Sequence, residues 1–202
     1  MIFIIITTSL ISHLFEERKI QYIHAISKII EKTKYIPNSK CIIVENNGFR
    51  ETFLNSFGID LLYTTTNHLH LEKGIKETYD ILACIKKYEI KDDDFIVKIT
   101  GRYILEDNCP FLKELENIDH IDAILRYDSF MKPASKIKTG DCITGLIGIR
   151  VKYLLKMEMP LHHEVIEWKW AKVCNTISEE RIRIMEYLGI SICPGGMHYF
   201  SV

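Results

Sequence analysis

The chain has 202 residues, 47% of them hydrophobic, and its 26 Lys and Arg against 27 Asp and Glu leave a net charge of −1. That hydrophobic content excludes a disordered chain. The near-zero charge gives no electrostatic basis for a nucleic-acid or acidic-membrane partner. The length suits one domain with a substantial core.

No repeat, low-complexity tract or Pro/Gly/Ser linker interrupts the sequence. The apolar opening MIFIII is too short to span a membrane and lacks the basic flank of a signal peptide. Six scattered cysteines (Cys41, Cys84, Cys109, Cys142, Cys174 and Cys193) show no metal-ligand spacing. Reduced, buried thiols in a cytoplasmic protein are therefore expected, in the host cytoplasm if the source is viral.

Residues 2–6 form an unbroken β-branched run, as in a central strand covered on both faces. Residues 16–33 carry Ile20, Ile23, Ile26 and Ile30 at helical spacing. CIIVE (41–45) reads as a second buried strand ended by the turn NNG. RETFLNSF reads as a short helix closed by Gly58, and DLLYT (60–64) as a third strand. A helix follows over 74–88, with Ile75, Tyr79, Leu82 and Ile85 or Lys86 along one side. FIVKI (95–99) reads as a fourth strand.

Strand and helix thus alternate through the first hundred residues, which predicts a mostly parallel α/β sheet covered by helices on both faces. The second half is less regular. DAILRYD (122–128) and TGLIGIR (144–150) read as strands around a polar loop. LHHEVIEWKWAKVCNTI reads as a helix with Ile166, Trp170, Val173 and Ile177 inward. Thr176 and Glu179 suggest a capping box for another helix, ended by Gly189. ISICPGGMHYFSV reads as a last strand with a glycine turn.

In open parallel sheets, ligands bind beyond the carboxyl ends of the strands. Thr7, Thr8, Ser9, Glu45, Asn46, Asn47, Thr64 to Asn67 and Thr100 to Tyr103 all follow strand ends, so they are expected to line one crevice. Asp92, Asp93 and Asp94 resemble a site for a hard divalent cation, but they precede a strand and belong at the opposite rim.

KITGRY (98–103) is the strongest chemical signal. Lys98 interrupts an apolar strand, Thr100 offers a hydroxyl, Gly101 permits close approach, and Arg102 offers a planar fork matched to phosphate oxygens. Tyr103 suits core or crevice. Asn67, Lys73 and Gly74 border the start of a helix, where exposed amides favour anions. Glu164 and Glu167 sit at the edge of an apolar helix face, where a carboxylate can serve as a general base. Trp168 and Trp170 suit sugar stacking or core packing. His68 and His70 read as surface residues, and His198, after a glycine turn, is the one metal candidate.

The succession IIITTS, IVENNG, KGIKE, DFIVKITGRYIL, IEWKWA and LGISICPGG resembles small GT-A-type glycosyltransferases of large algal and amoebal viruses and bacterial surface-polysaccharide loci, which carry a K-[IL]-[ST]-G-R-Y strand. The resemblance covers most of the chain. It implies a single GT-A-like glycosyltransferase domain, with 1–105 as the nucleotide-sugar half and 106–202 as the acceptor half. It implies a hexosyl- or deoxyhexosyltransferase taking a nucleotide-diphosphate sugar donor and a carbohydrate or glycoprotein acceptor. Thr7, Thr8, Ser9, Glu45, Asn46 and Asn47 would contact base and ribose, and Asn67, Lys73 and Gly74 would border the nucleotide.

The family's Asp-X-Asp metal motif normally follows the fourth strand, where this chain has Thr100, Gly101 and Arg102. Either Arg102 and Lys98 neutralise the diphosphate, or Mn²⁺ or Mg²⁺ is held by other groups, His198 among them. Glu167 or Glu164 would serve the acceptor. Two alternatives stand beside this. One is a sugar nucleotidyltransferase, disfavoured because TTSLISHLFEERK lacks a glycine-rich basic loop. The other is a non-catalytic nucleotide-sugar-binding or assembly protein.

Overall fold

The computed structural model describes residues 1–11, 15–69, 71–159, 164–193 and 199–202. The apolar run at the amino terminus forms β1 (Ile2–Thr8), buried along its whole length. It lies third from one edge of a seven-stranded sheet among the described residues, between β2 (Ser39–Glu45) and β4 (Phe95–Thr100), parallel to both. β3 (Asp60–Tyr63) adds in parallel outside β2. On the other side come β7 (Leu146–Arg150), β6 (Ala123–Leu125) and β8 (Ile182–Ile184). β7 is antiparallel to both neighbours, while β6 and β8 pair in parallel.

Alternate residues of β1 feed two cores. Ile2, Ile4 and Ile6 pack under α1 (Phe15–Thr33), and Phe3 and Ile5 pack under α2 (Lys73–Lys87) and α5 (Ile166–Asn175). Period-two side-chain alternation in a central strand requires cover on both faces. The remaining elements are β5 (Ile104–Leu105), α3 (Pro110–Glu114), α4 (Val151–Leu154), β9 (Ile190–Ile192) and β10 (Phe200–Ser201). β9 joins β5 and β10 in a small antiparallel sheet. The cysteines are free, as expected, and Cys41 alone among them is half-buried rather than buried.

Three expectations need correction. The inward stripe of α1 is Tyr22, Ala25, Ile26, Ile29 and Thr33, while Ile20 is 71% exposed and Ile23 also faces out. A stripe containing Tyr, Ala and Thr is invisible to a search for isoleucines. Tyr79 of α2 likewise faces out, and Thr78, Ile81 and Cys84 face in. The segment after Thr176 is a 3₁₀ turn (Glu179–Arg181) followed by β8, not a long helix. No capping box forms there: the Thr176 hydroxyl donates back to Val173. Ile182 and Ile184 alternate with Arg181 and Arg183, a period of two that suits an edge strand.

The aspartates 92 to 94 lie at the amino end of β4, as their place before the strand implies. Asp94 accepts from the chain's amino group at 2.9 Å and Asp93 pairs with Lys152 at 3.2 Å. A stronger carboxylate hub sits at the same rim. Asp122, 1% exposed, accepts from Arg181 through two bonds of 2.7 Å, from Arg150 at 2.8 Å and from Tyr153 at 3.0 Å.

The Arg181 hydrogen bond outweighs the effect of burial and, with Tyr153, lowers the Asp122 carboxyl to about 2. A carboxyl held below its unfolded value favours folding once ionised, so its contribution is complete above about pH 4 and is lost as pH falls through about 2. It amounts to about 2 kcal/mol. Asp122→Asn should therefore lower the urea midpoint at pH 6 and approach the wild-type midpoint near pH 2. Parallel curves across that range would remove Asp122 from the acid response.

Candidate functional site at the carboxyl ends of the strands

Because β1 to β4 run in parallel, their carboxyl ends open on one side of the sheet, and the expected residues collect there. Thr7 and Thr8 are buried. The Thr8 hydroxyl lies 2.8 Å from both the Val44 carbonyl and Glu45 Oε2. Glu45 is fully buried and also accepts from the Leu10 amide, from Asn47 Nδ2 at 2.6 Å and from Arg50 at 3.3 Å. Its oxygens are saturated by the protein, so it pins the segment after β1 and forms the crevice floor. Ser9, anchored through its amide to the Tyr22 hydroxyl, sits at the rim with Asn47.

Asn47 Oδ1 accepts from Asn67 at 2.6 Å, and Asn67 in turn accepts from Lys76 at 3.2 Å. Behind them lies Asp80, which the sequence reading missed. It is fully buried and accepts from Thr64 at 2.6 Å, Thr66 at 2.7 Å and Asn46 at 3.3 Å. Burial pushes its carboxyl up to about 6 despite these donors. An acidic residue on the apolar stripe of a helix was the available signal, since such groups are rarely buried unless partnered.

The end of β4 holds the charged centre. Lys98, 2% exposed, donates to Thr100 Oγ1 at 2.8 Å and to the Thr144 carbonyl at 2.7 Å, and pairs with Glu77 at 2.7 Å. All three of its donors are engaged within the protein. Glu77 was expected beside Asn67, Lys73 and Gly74 at the start of this helix, but without a role in the site. Burial raises its carboxyl, but Lys98 and Lys73 bring it below the ordinary value overall.

Arg102 is 6% exposed, yet among the described residues its guanidinium makes one hydrogen bond, 3.3 Å to the neutral Gln21. Arg18, one α-helical turn before Gln21 and on the same face, reaches Ser9 O at 3.3 Å. Burial and the neighbouring Arg102 together lower the proton affinity of Arg18. Lys73 is raised by Glu77, but burial, Arg102, Lys98 and Arg18 leave it lower overall. Among the described residues, neither arginine has a carboxylate partner.

Two glycines set these distances. A Cβ on Gly101 would lie 3.0 Å from Thr7 O and from Thr8 Cγ2, so its missing side chain lets the ends of β1 and β4 meet. A Cβ on Gly74 would lie 2.1 Å from Ile166 Cγ2. Gly74 thereby lets the start of α2 touch the start of α5.

Beside this centre lies a cavity of about 470 Å³ lined by Tyr103, Phe130, Asp141, Thr144, Glu167 and Trp168, among others. Glu167 Oε1 accepts from the Thr144 hydroxyl at 3.3 Å. Trp168 is half-exposed in the cavity wall while Trp170 is buried in the core, so the two tryptophans divide the expected roles. Glu164 precedes α5 and is paired with Lys169 at 2.7 Å.

A divalent cation does not fit these donors. No group of three or more His, Cys, Asp or Glu side chains converges among the described residues. The place after β4 holds guanidinium and ammonium groups. His68 is exposed, and His70 and His198 lie outside the described residues. No described helix is long and apolar enough to cross a membrane.

No protein-family model matches the sequence, and no curated protein matches it. Solved structures do. A protein described as a glucose-1-phosphate thymidylyltransferase from Bacillus anthracis, in complex with sucrose, superposes with a TM-score of 0.63 at 15% identity, covering 98% of this chain and 91% of its own. A mannosyltransferase from Pyrobaculum calidifontis, in complex with GDP-Man and Mn²⁺, gives 0.56 at 10% identity over 91% of this chain and 54% of its own. A protein described as a nucleotide-diphospho-sugar transferase from Desulfovibrio desulfuricans G20 gives 0.52 at 10% identity, covering 91% and 79%. At these identities the likeness establishes the fold: a GT-A-like α/β sheet.

Proposed function

We propose that this protein is a glycosyltransferase that moves a sugar from a nucleoside-diphosphate donor to an acceptor hydroxyl. One observation carries the reading. Arg102 is a cation 6% exposed at the carboxyl end of a central strand, with one long bond, to a neutral amide, among the described residues. Glu77 is the carboxylate that feels this charge, without contact, and the unpartnered Arg102 nitrogens reach the open crevice rather than the sealed interior. An anionic ligand in the crevice supplies the missing partner, and the neighbouring cavity has room and an aromatic wall for a sugar. The KITGRY strand end is also the sharpest point of resemblance to the small viral and bacterial enzymes.

In this reading residues 1–105 bind the nucleotide sugar and residues 106–202 receive the acceptor, a carbohydrate or glycoprotein. Ser9, Asn47 and Asn67 face base and ribose, with Thr7, Thr8, Glu45 and Asn46 shaping the floor beneath them. The bond from the sugar's anomeric carbon to the diphosphate oxygen breaks, and its electron pair leaves with the diphosphate. Arg102 stabilises the charge that grows there. The acceptor oxygen bonds to the anomeric carbon and its proton passes to Glu167.

Glu167→Gln keeps the oxygen that accepts from Thr144 and removes the proton acceptor. It should lower kcat by about 10²–10⁴-fold with little change in KM. A variant with wild-type kcat would show that Glu167 is not the base.

The reading itself is tested by melting the protein with UDP-, GDP- and dTDP-sugars. A ligand at a hundred times its Kd stabilises by about 2.7 kcal/mol, or about 5–10 °C for a chain of this size. No shift with any of them would sink the donor site. One observation favours a second reading, a sugar nucleotidyltransferase: the 0.63 superposition over 98% of the chain. The segment after β1 opposes it, because Ser9 to Lys19 contains no glycine. Release of pyrophosphate from a nucleoside triphosphate and a sugar 1-phosphate would reverse the preference.

A further inference from the structure

We infer that this protein holds the donor's diphosphate with its own cations, Arg102 and Arg18 with the exposed Lys73 beside them, and needs no divalent metal there. The inference rests on the nucleotide-sugar reading above and deepens it. Arg102, just past β4, donates to Gln21 of α1 at 3.3 Å, and Arg18 of the same helix reaches Ser9 O at 3.3 Å. Lys73 in the first turn of α2 lies 3.8 Å from Glu77, the carboxylate that pairs with Lys98 of β4. The like charges act on one another: Arg102 depresses the proton affinity of both Arg18 and Lys73. Such mutual repulsion is tolerated where an anion is to be bound.

The carboxylates nearby are already committed. Glu45 takes donors from Thr8, Leu10, Asn47 and Arg50. Asp80 takes three donors, and Glu77 Oε2 faces Lys98 at 2.7 Å. Among the described residues, a dication entering beside Arg102 would meet three positive charges and no cluster of three or more ligating side chains, the Asp141 and Glu167 carboxylates lying in the neighbouring cavity. A diphosphate meets planar guanidinium forks whose geometry suits its oxygens. Arg102 is 6% exposed with one 3.3 Å bond, so most of its donor capacity is left for that ligand.

The test is calorimetric titration of the full chain with UDP, GDP and dTDP, each in EDTA and in Mn²⁺. The nucleotide that binds should show the same Kd in both buffers, within about twofold. Arg18→Gln, Arg102→Gln and Lys73→Gln should each weaken it by about tenfold or more. Lys73 is 62% exposed, so its variant reports on binding even if the buried Arg102 variant unfolds. Binding that requires Mn²⁺ and vanishes in EDTA would overturn the inference while leaving the nucleotide-sugar reading in place. Metal-independent binding that all three variants retain would overturn it as well. No binding of any of the three under either condition would remove both.

Discussion

Arg102→Ala should lower transfer by about 10²–10³-fold, the size expected when a preorganised charge facing a developing anion is removed. The loss should fall on kcat and on donor affinity together, because the diphosphate is charged in the ground state and gains charge as the bond breaks. The folded protein should tolerate the change. Arg102 contributes one 3.3 Å bond to Gln21 and lies near Arg18 and Lys73, so its removal relieves like-charge repulsion. A melting temperature at or above wild type, alongside the loss of transfer, is the expected pair of results. Wild-type transfer would take Arg102 out of the chemistry, and a cooperative collapse of the fold would make it a structural residue.

Glu77→Ala should do the reverse and damage the fold. Lys98 and Glu77 pair at 2.7 Å with side chains 3% and 14% exposed. Removing the carboxylate leaves an ammonium buried inside the sheet, at a cost of about 3–5 kcal/mol. For a chain of this length that lowers the melting temperature by roughly 10 °C. A double variant, Glu77→Leu with Lys98→Met, removes both charges and should recover most of the loss, since a buried pair adds little over an apolar pair of similar volume. The double variant should still transfer poorly. Lys98 holds the Thr144 carbonyl, and the Thr144 hydroxyl holds Glu167, the proposed base, so the pair positions that carboxylate across the crevice. Equal stability of Glu77→Ala and wild type would show that Lys98 finds water or another partner.

These two expectations separate residues that looked alike in sequence. Lys98 and Arg102 both belong to KITGRY, and both read as phosphate ligands. Lys98 points into the layer of α2 and α5, where Glu77 and Thr144 take all its donors. Arg102 lies just past the strand, in the crevice. The difference follows from strand register and from which helix covers which face. A linear reading has no access to either.

Much of the architecture was legible. Apolar, mostly β-branched runs at 2–6 and 95–99, the second interrupted by Lys98, announced strands buried on both faces, and turn residues marked where they stop. The strand-end rule placed Thr7 to Ser9, Asn47, Asn67 and Arg102 on one side and the three aspartates at 92 to 94 on the other. The apolar face of α5 was read correctly because Ile166, Trp170, Val173 and Ile177 are large and evenly spaced. The stripe of α1 was misread because Tyr22, Ala25 and Thr33 do its packing, and a small or polar residue at a buried position carries no hydrophobic signal. The strand β8 was mistaken for a helix because three residues are too few for periodicity to decide.

By itself, then, the sequence determined the class of sheet, the edge on which its polar strand ends collect and the chemical kind of group at the end of β4. Those are properties of local pattern and of strand direction, which short-range chemistry dictates. Only the tertiary structure decided how the charges are partnered. Glu45, Glu77 and Asp80 proved to be engaged acceptors, and Arg18 joined Arg102 from a helix some eighty residues earlier in the chain. Partnership depends on distances of 3 Å between groups far apart in sequence, and packing of the helices on the sheet sets those distances.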